Sequence, residues 1–531
     1  MSNGSTSAGF QLNAAGNFVF VYLADSATGA SWNASSSFHT SPINLRVENT
    51  VYDAYTQFRL VTHRAGPIPR RGFRQTIVLE DTAGQGRITL ELEMFENAPF
   101  LRQRVRFRNL RPSMVKVRYA DILPLAFDAG DNAYRLFHVN QWVQAGKMGN
   151  FEPVESNLAA TGELARMTTG AHGQHCAWLA IRDANDRGLV AGWEFDGRAT
   201  ATIRSPRRFG YLQLSVSLDD LNRPLERDQA LQLPASFIGL YRGDWDEAGY
   251  RTQRFAEAAI AKAMPDPVFP FVIWDSWKYQ TAIDEATLRR NAEIAARIGV
   301  EVFVVDLGWA RQIGDWHADP QKFPSGMRAL SDYVHSLGMK FGLHFPLAEA
   351  MKSSPMLRAN PDWTSSESYG YFEAESICLS HRPVREWVIQ EAVRMIDAYN
   401  VDWILQDGEN MVKKCTKTTH GHDPQDSNFS NAVDGLNFTV TAIQAQRPNV
   451  IWENCEDGGN MMTYNMVRNY QTSIASDDSG AMTTRQAVYG ITYPFPPRYS
   501  DRYMPDEELG TYTTRSFMFG GPWIFMNRLA S

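Results

Sequence analysis

Hydrophobic and polar residues change their spacing once along this chain, near residue 244. Before that point, short runs alternate between apolar and polar residues, and turns rich in Gly, Asn, Asp and Pro separate them. FVFVYL, ITLELEMF, LRQRVRFRNL and YLQLSVSL are such runs. A period of two is typical of antiparallel strands with one buried face, so residues 1–243 are predicted to form a large antiparallel β-domain.

Residues 244–268 follow a different rule. The segment AGYRTQRFAEAAIAKAM places apolar residues three and four positions apart, as on one face of a helix. Pro265 and Pro267 then break the helical pattern, because proline lacks the amide that a helix needs. This segment is predicted to be a helical linker between two domains.

From residue 269 onward, apolar runs of strand length alternate with helical patterns. The runs lie at 271–277, 300–309, 339–346, 401–407, 449–456 and 472–478, and the helical patterns at 285–299, 327–338, 385–400 and 432–446. AVYGITYP at 487–494 and FMFGGPWIFM at 517–526 bring the count to about eight strands. The alternation favours a parallel (β/α)8 barrel over 269–531, although an open doubly wound sheet gives a similar pattern. The sequence ends at Ser531, where an eighth helix is expected, so the barrel is expected to be cut short near strand eight.

Two carboxylates follow apolar runs in this second half. Asp407 ends WILQD, and Asp477 stands in TSIASDD. Barrel enzymes keep their chemistry at the carboxyl ends of the strands, and a pair of carboxylates suggests glycoside hydrolysis. Taken alone, an aspartate at a strand end can equally be a helix cap or an ion-pair partner.

Several motifs in this half occur in a particular order. They are DSW at 275–277, VFVVDLGW at 302–309, GDWHADPQKFPSGM at 314–327, GMKFGLH at 338–344, NPDW at 360–363, QDGEN at 406–410, ENCEDGGN at 453–460 and SDD at 476–478. The ordered set resembles glycoside hydrolase family 36, which holds α-galactosidases and raffinose-type transferases among the retaining α-glycosidases. The resemblance implies a multidomain protein, with an N-terminal β-sandwich followed by a (β/α)8 TIM-type barrel.

The resemblance also implies roles for individual residues. Asp407 would be the nucleophile and Asp477 the acid/base, with Asp478 as a competitor for the second role and Glu409 and Glu453 as rival carboxylates. Asp306 would hydrogen-bond a sugar hydroxyl, and Cys455 and Gly458 would lie near the sugar's 2-position. The predicted substrate-binding set is Asp306, Trp309, His344, Leu405, Cys455, Gly458 and Asp478.

This chain departs from the family pattern in its sugar-recognition residues. Leu405 stands where the family has a lysine, Leu307 where it has a second aspartate, and His344 where it has a tryptophan. Each unpaired buried hydroxyl costs about 1 to 3 kcal/mol, so losing these partners would weaken the selection of galactose. We therefore expect the preferred sugar to differ from galactose.

The expected reaction is hydrolysis of a terminal α-linked sugar by double displacement, which requires no cofactor. Two alternatives stay open: an α-transglycosidase of the raffinose- or stachyose-forming type, and an inactive carbohydrate-binding relative. Cys415, His420, His422 and Asp423 have the residue types and spacing of a metal site. Their polar flanks favour a solvated loop with idle histidines, so no metal ligand is assigned.

Composition sets the remaining limits. The chain has 531 residues, of which 44% are hydrophobic and 21% charged, and a net charge of -7 that argues against a nucleic-acid partner. No membrane span or signal peptide is visible, although a signal could have been removed. The four cysteines are widely scattered, which favours reduced thiols and a cytoplasmic location. The expected partner is an oligosaccharide or glycoside, and homo-oligomerisation is left open.

Overall fold

The computed structural model describes residues 1–70, 72–96, 98–128, 133–141, 150–158, 164–171, 173–204, 210–368, 370–477, 480–504 and 510–530. Up to Arg242 every named strand pairs in antiparallel sheets. In spatial order, the largest sheet consists of Pro153–Asn157, Tyr134–Asn140, His175–Asp183, Arg187–Trp193, Ser236–Arg242, Ala98–Asn109, Gly86–Phe95, Gly72–Asp81 and Phe58–Ile68, with Ala230–Gln232 beside Ala98–Asn109.

Three smaller antiparallel sheets complete this region. The first contains Leu125–Asp128, Tyr211–Leu218, Ala199–Arg204 and Leu164–Thr169; the second Arg223–Leu225, Val115–Ala120, Leu45–Val47 and Thr50–Tyr52; the third Thr6–Leu12, Phe18–Asp25 and Ala30–Asn33. Burial follows the sequence period: along Tyr211–Leu218, the four apolar residues at even positions are buried and the residues between them are partly exposed. The predicted antiparallel β-region is confirmed.

The second region contains an eight-stranded parallel sheet. Its strands are β1 (Val272–Asp275), β2 (Val302–Val305), β3 (Lys340–His344), β4 (Trp403–Gln406), β5 (Ile451–Asn454), β6 (Thr472–Ser473), β7 (Arg502–Met504) and β8 (Trp523–Phe525). They pair in the order β6, β5, β4, β3, β2, β1, β8, β7. A parallel bridge between Ile474 and Asp501 joins the two outer strands of this order.

The prediction for strand seven is wrong. The segment AVYGITYP belongs to a helix, Ala481–Ile491, and β7 comes after it in the chain. The buried positions of this helix include Thr484, Ala487, Val488 and Ile491, which have the three- and four-residue spacing of a helical face, and Gly490 is buried beside them. A short apolar run does not by itself distinguish a strand from a buried helix.

Helices connect the strands. After Trp245–Phe255 and its π-helical continuation Ala256–Ile260, the helices are Glu285–Arg297, Met327–Ser336, Pro355–Ala359, Arg382–Tyr399, Ser427–Phe429, Ser430–Asn437 (π-helical), Phe438–Gln446, Glu456–Gly459, Tyr464–Asn469, Ala481–Ile491 and Thr511–Ser516. Short 3₁₀ turns lie at Ser276–Tyr279, Pro361–Trp363, Tyr371–Glu373, Pro424–Asp426 and Pro497–Tyr499, and two hairpins at Ala310–Gln312 with Asp315–Ala318 and Glu349–Met351 with Ala374–Ser376. Among the described residues, no helix has the length and apolar character needed to cross a membrane.

The linking helix packs on the antiparallel region. Asp244 caps its start by accepting a hydrogen bond from the amide of Glu247. Near its end, the ring of Phe255 stacks on Phe100 with 4.3 Å between the ring centroids. This contact fixes the helix between the two sheet systems.

Because all eight strands run in one direction, the residues that follow them gather at one edge of the sheet. Asp275 ends β1, Asp306 follows β2, His344 ends β3, Asp407 follows β4 and Cys455 follows β5. The polar residues singled out in the sequence therefore meet at the carboxyl edge.

Candidate active site

A cavity of about 220 Å³ opens at the carboxyl edge of the parallel sheet. It is lined by Trp277, Asp306, Gly370, Tyr371, Phe372, Leu405, Asp407, Glu409, Cys455, Asp477 and Tyr503. Acidic groups and aromatic rings dominate this lining. We call it the acidic cavity.

Asp407 lies in this cavity with its carboxylate held from one side. The hydroxyl of Tyr371 donates to its Oδ2 at 2.7 Å, and the Nε2 atom of His344 lies 3.6 Å from the same oxygen. Gly408 follows with a φ of 143°, a backbone conformation that a side chain would strain. The chain thus turns sharply after β4 and leaves the carboxylate facing the cavity.

His344 is buried between two acids. Its Nε2 atom lies 3.9 Å from Oδ1 of Asp306 and 2.9 Å from the hydroxyl of Tyr371. Burial lowers the pKa of the imidazole, but the Asp306 and Asp407 carboxylates outweigh that effect and raise it above the ordinary value. A protonated His344 can therefore offset part of the negative charge beneath the cavity.

A second pair of acids lies at the ends of β1 and β2. Burial, together with the charge of Asp306, raises the pKa of Asp275 well above its ordinary value, and burial also raises that of Asp306. The nearby charge of Asp306 therefore favours the protonated form of Asp275. The backbone amide of Trp277 donates a hydrogen bond to the Asp275 carboxyl group at 2.7 Å. The Ser276 hydroxyl accepts a hydrogen bond from the backbone amide of Asp306 at 2.9 Å.

Cys455 and Asp477 also line the acidic cavity. Cys455 is buried, and burial with the charges of Asp407 and Asp477 raises the pKa of its thiol well above the ordinary value. Asp477 is exposed at the cavity mouth. A side chain at Gly458, whose φ is 69°, would collide with the Asp477 carboxyl group. Glycine at that position therefore leaves room for the acid.

The two rival carboxylates lie in different places. Glu409 lines the acidic cavity. Glu453 is buried below it, where the indole of Trp403 donates to its carboxylate at 2.8 Å, and burial raises its pKa to about 7. The buried ammonium of Lys413 forms an ion pair with Glu349 at 2.5 Å and donates a hydrogen bond to the carbonyl of Glu409. Lys413 therefore stabilises the loop that follows Asp407.

Trp309 does not line the acidic cavity. It lines a neighbouring cavity of about 450 Å³, together with Leu307 and Trp316, and it is 1% exposed. Its indole donates to the carbonyl of His344 at 2.9 Å, so it contacts the site through the backbone of β3. We call this space the tryptophan cavity. The contact of Trp309 with the substrate stays a prediction, since Trp309 and Asp407 line neighbouring cavities that share Phe372.

The other predicted residues divide as follows. Asp306, Leu405 and Cys455 line the acidic cavity with Asp407 and Asp477. His344 lines the tryptophan cavity and lies 3.6 Å from Asp407, and Gly458 lies against Asp477. Asp478 lies outside the described residues. Leu307 lines the tryptophan cavity, so of the two leucines singled out in the sequence, Leu405 alone faces the acids.

Sequence reasoning missed four aromatic wall residues: Trp277, Tyr371, Phe372 and Tyr503. Trp277 lies two residues after Asp275, which ends β1. A position next to the end of a buried strand is the same signal that identified Asp407. Tyr371 and Phe372 come from a long connection after β3. Tyr503 comes from β7, the strand whose position the sequence pattern predicts wrongly. No local pattern marks these last three.

Acids and aromatic rings gathered at the carboxyl edge of a parallel sheet are typical of carbohydrate-processing enzymes. Known proteins support this class. The melibiase family model matches residues 253–508. α-Galactosidase 2 of Pediococcus pentosaceus is 23% identical over 468 residues, which cover 82% of this chain and 62% of that protein. α-Galactosidase Mel36A of Lactobacillus acidophilus is 23% identical over 328 residues, which cover 58% of this chain and 44% of that protein.

Solved structures share the fold. The α-galactosidase AgaA of Geobacillus stearothermophilus superposes with a TM-score of 0.84 at 16% identity, covering 100% of this chain and 83% of that one. In sequence and fold, this chain is similar to the melibiase family and to α-galactosidases of glycoside hydrolase family 36. It spans less than two thirds of the length of the two relatives compared by sequence.

Proposed function

We propose that this chain is a retaining α-glycosidase that removes a terminal α-linked sugar from an oligosaccharide or glycoside. One observation carries the proposal: Asp407 and Asp477 line the same cavity, and Tyr371 and His344 lie against one oxygen of Asp407. A hydroxyl and an imidazole on that oxygen orient the carboxylate for attack on a substrate. A second, exposed carboxyl group in the same cavity can exchange protons with the departing or entering oxygen.

The reaction has two displacements. In the first, an oxygen of Asp407 bonds to the anomeric carbon as the glycosidic bond breaks, and Asp477 gives its proton to the departing oxygen. In the second, Asp477 takes a proton from water, and the water oxygen replaces Asp407 at the anomeric carbon. Each step inverts the configuration, so the product keeps the substrate's anomeric form.

We further propose that the eight parallel strands form a closed (β/α)8 barrel over residues 269–531. The parallel bridge between Ile474 and Asp501 supports closure, since it joins the strands that would otherwise be edges. The residues 1–243 would form a β-sandwich domain and 244–268 the linker. This architecture places the acidic cavity at the mouth of the barrel.

The sugar itself is inferred from Leu405. Its apolar side chain lines the acidic cavity at the position where the family resemblance implies a lysine. A sugar hydroxyl facing leucine would lose water without gaining a partner, so we infer a preference for a sugar with fewer or differently placed hydroxyls than galactose. AgaA variants have been solved in complex with raffinose and with stachyose, so oligosaccharides with terminal α-linkages are the first substrates to test.

The experiment is a screen of aryl α-glycosides that covers galactosides, other hexosides, deoxyhexosides, pentosides and amino sugars. We expect turnover of at least one α-glycoside and none of the matching β-anomers, with the α-anomer of the free sugar appearing first by proton NMR. Initial release of the β-anomer would contradict retention. Binding of a sugar without turnover of any α-glycoside would favour an inactive binding protein.

A second arm separates hydrolysis from transglycosylation. The reaction is repeated with an excess of a disaccharide acceptor, and the products are separated by chromatography. A hydrolase should release mainly free sugar under both conditions. Trisaccharide as the main product would instead identify the chain as a transglycosidase.

A further inference from the structure

Four potential metal ligands meet away from the acidic cavity. Cys378, Cys415, His420 and His422 each offer one ligand atom, and these four atoms all lie within 4.8 Å of one another. Both cysteines are fully buried free thiols, and His420 is 1% exposed. We call these residues the Cys2His2 cluster.

The distances within the cluster match a tetrahedral site. The Sγ atom of Cys378 lies 3.5 Å from Nε2 of His422, and Sγ of Cys415 lies 3.3 Å from Nδ1 of His420. Bonds of about 2.3 Å from zinc to sulfur and about 2.05 Å to nitrogen, at the tetrahedral angle, place sulfur and nitrogen about 3.6 Å apart. These two sulfur–nitrogen pairs are thus spaced as two edges of a zinc tetrahedron, and all four ligand atoms lie within 4.8 Å of one another.

Hydrogen bonds on the outer side of each imidazole point to the same conclusion. The Nε2 atom of His420 lies 2.6 Å from the carbonyl oxygen of Asp362, and Nδ1 of His422 lies 3.3 Å from that of Asp423. A carbonyl can only accept, so each of these nitrogens carries the proton. In the neutral form of each imidazole, the unprotonated nitrogens are then Nδ1 of His420 and Nε2 of His422, the two that face the sulfurs. Histidines that bind metals usually donate their other N–H in this way.

The surroundings hold the cluster in place. The ring of His381 stacks on His420 at 4.5 Å, and its Nδ1 lies 2.9 Å from the carbonyl oxygen of His420. Asp423, which the sequence grouped with the possible ligands, bonds Lys116 and Asn222 of the antiparallel region instead. Cys378, which comes from a distant part of the sequence, takes the fourth position.

We propose that the Cys2His2 cluster binds one Zn²⁺ ion as a structural centre. Two thiolates and two imidazoles in tetrahedral arrangement favour zinc, and four protein ligands leave no open position for catalysis. The ion would tie together two segments that build the acidic cavity. Asp362 and Cys378 flank the connection that carries Tyr371, whereas Cys415, His420 and His422 lie on the loop that follows Asp407.

The first test is the metal content of the full-length protein. The chain is purified without chelators and analysed by inductively coupled plasma mass spectrometry, and about one equivalent of zinc per chain is expected. Protein produced with Co²⁺ in place of zinc should show the visible absorption of tetrahedral cobalt and a near-ultraviolet thiolate-to-metal band. Less than a stoichiometric amount of zinc after dialysis against Zn²⁺, or the spectrum of octahedral cobalt, overturns the proposal.

Matched cysteine variants locate the metal. Cys378→Ala and Cys415→Ala should each lose nearly all bound zinc, whereas Cys176→Ala should keep the full equivalent. Cys176 is the control because it is also a fully buried free cysteine, in the strand His175–Asp183 of the antiparallel region. Equal zinc in all three variants would place the metal elsewhere.

Two further measurements guard against a folding artefact. Chelator treatment of the unaltered protein should lower its melting temperature, and adding Zn²⁺ should restore it. Mass spectrometry after alkylation without reduction should find Cys378 and Cys415 unlinked in the zinc-loaded protein. A disulfide between them in freshly purified protein would identify the cluster as an oxidised pair and overturn the zinc assignment.

Discussion

The acidic cavity and the tryptophan cavity lie side by side, yet their chemistry differs. Among the residues that the structure describes, four carboxylates and no cation line the first: Asp306, Asp407, Glu409 and Asp477. The wall of the second combines leucine, isoleucine, methionine and two tryptophans with two acids, Asp319 and Glu373, and two cations, Arg311 and Lys322. The tryptophan cavity is larger, about 450 Å³ against about 220 Å³. Size alone would select the tryptophan cavity, whereas the proposed chemistry needs the carboxylates of the acidic cavity.

The boundary between the two cavities runs through consecutive residues. Asp306 faces the acidic cavity, and the next residue, Leu307, lines the tryptophan cavity. Gly308 follows with a φ of 103°, and a side chain there would press on the backbone of Thr281. A shift of one position at a strand end therefore decides which cavity a residue lines. The predictions below test that division.

The largest effect is expected at Asp407. The Asp407→Asn variant keeps the size of the side chain but cannot form the glycosyl ester, so kcat/KM should fall on the order of 10⁴-fold or more. Steady-state kinetics on the best aryl α-glycoside measures this fall. Asp319→Asn, the same change in the tryptophan cavity, is the control and should leave kcat/KM nearly unchanged. Substantial activity in Asp407→Asn would remove the assignment of the nucleophile.

The next effect depends on the leaving group. Asp477→Ala should reduce kcat/KM by roughly 10² to 10⁴-fold for an alkyl or sugar leaving group, because that oxygen needs a proton, and far less for a nitrophenyl leaving group. Glu409→Ala serves as the comparison within the same cavity. If Glu409→Ala shows this dependence and Asp477→Ala does not, the proton donor is Glu409.

A smaller effect is expected at Tyr371. Its hydroxyl donates to the Asp407 carboxylate, and a hydrogen bond to a charged group contributes about 1.5 to 3 kcal/mol, so Tyr371→Phe should lower kcat/KM roughly 10- to 100-fold. Tyr333→Phe is the matched control, since that hydroxyl donates to the carboxylate of Glu293 away from both cavities. Equal losses in the two variants would mean that the Tyr371 hydroxyl does not support Asp407.

The two leucines test the boundary itself. Leu405→Lys places an ammonium in the acidic cavity and should shift the ratio of kcat/KM for α-galactoside over the preferred sugar by about tenfold towards galactoside. Leu307→Lys makes the same change in the tryptophan cavity and should leave the ratio unaltered. Should α-galactoside already be the best substrate of the unaltered protein by a wide margin, the argument from Leu405 is wrong.

The smallest effect concerns stability below the acidic cavity. Burial raises the pKa of Glu453 from its ordinary 4.5 to about 7, so the folded protein binds more protons than the unfolded chain between these values. The free energy of unfolding that depends on this group is fully present at low pH and falls as the pH rises to about 7. Glu453→Gln removes the charge, so it should gain stability over the unaltered protein, by at most about 3 kcal/mol, between about pH 5 and about pH 8.

Denaturant unfolding of both proteins at the two pH values provides this measurement. Glutamine can still accept the hydrogen bond of the Trp403 indole, so the comparison isolates the charge. A stability difference that is the same at both pH values would show that Glu453 does not change its protonation state in this range.

The sequence by itself determined the parts that depend on local patterns. The sequence directly predicted the antiparallel strands of residues 1–243 and the alternating strands and helices up to β6. Burial of one face of a strand or helix spaces its apolar residues at the period of that element, and this spacing is visible in the sequence. Asp306 and Asp407 could be found because each follows a buried strand. The seventh strand could not, since β7 has three residues and the more apolar segment before it is helical.

The tertiary structure decided which side chains meet. It brought Tyr371 from a long connection onto Asp407, sent Leu307 and Trp309 into a different cavity from Asp306, and added Cys378 to three residues of a distant loop. None of these contacts leaves a local pattern, because each depends on the direction in which a loop crosses the sheet edge. Sequence spacing specifies strands and helices, whereas the composition of a site depends on loops whose paths are fixed only by long-range packing.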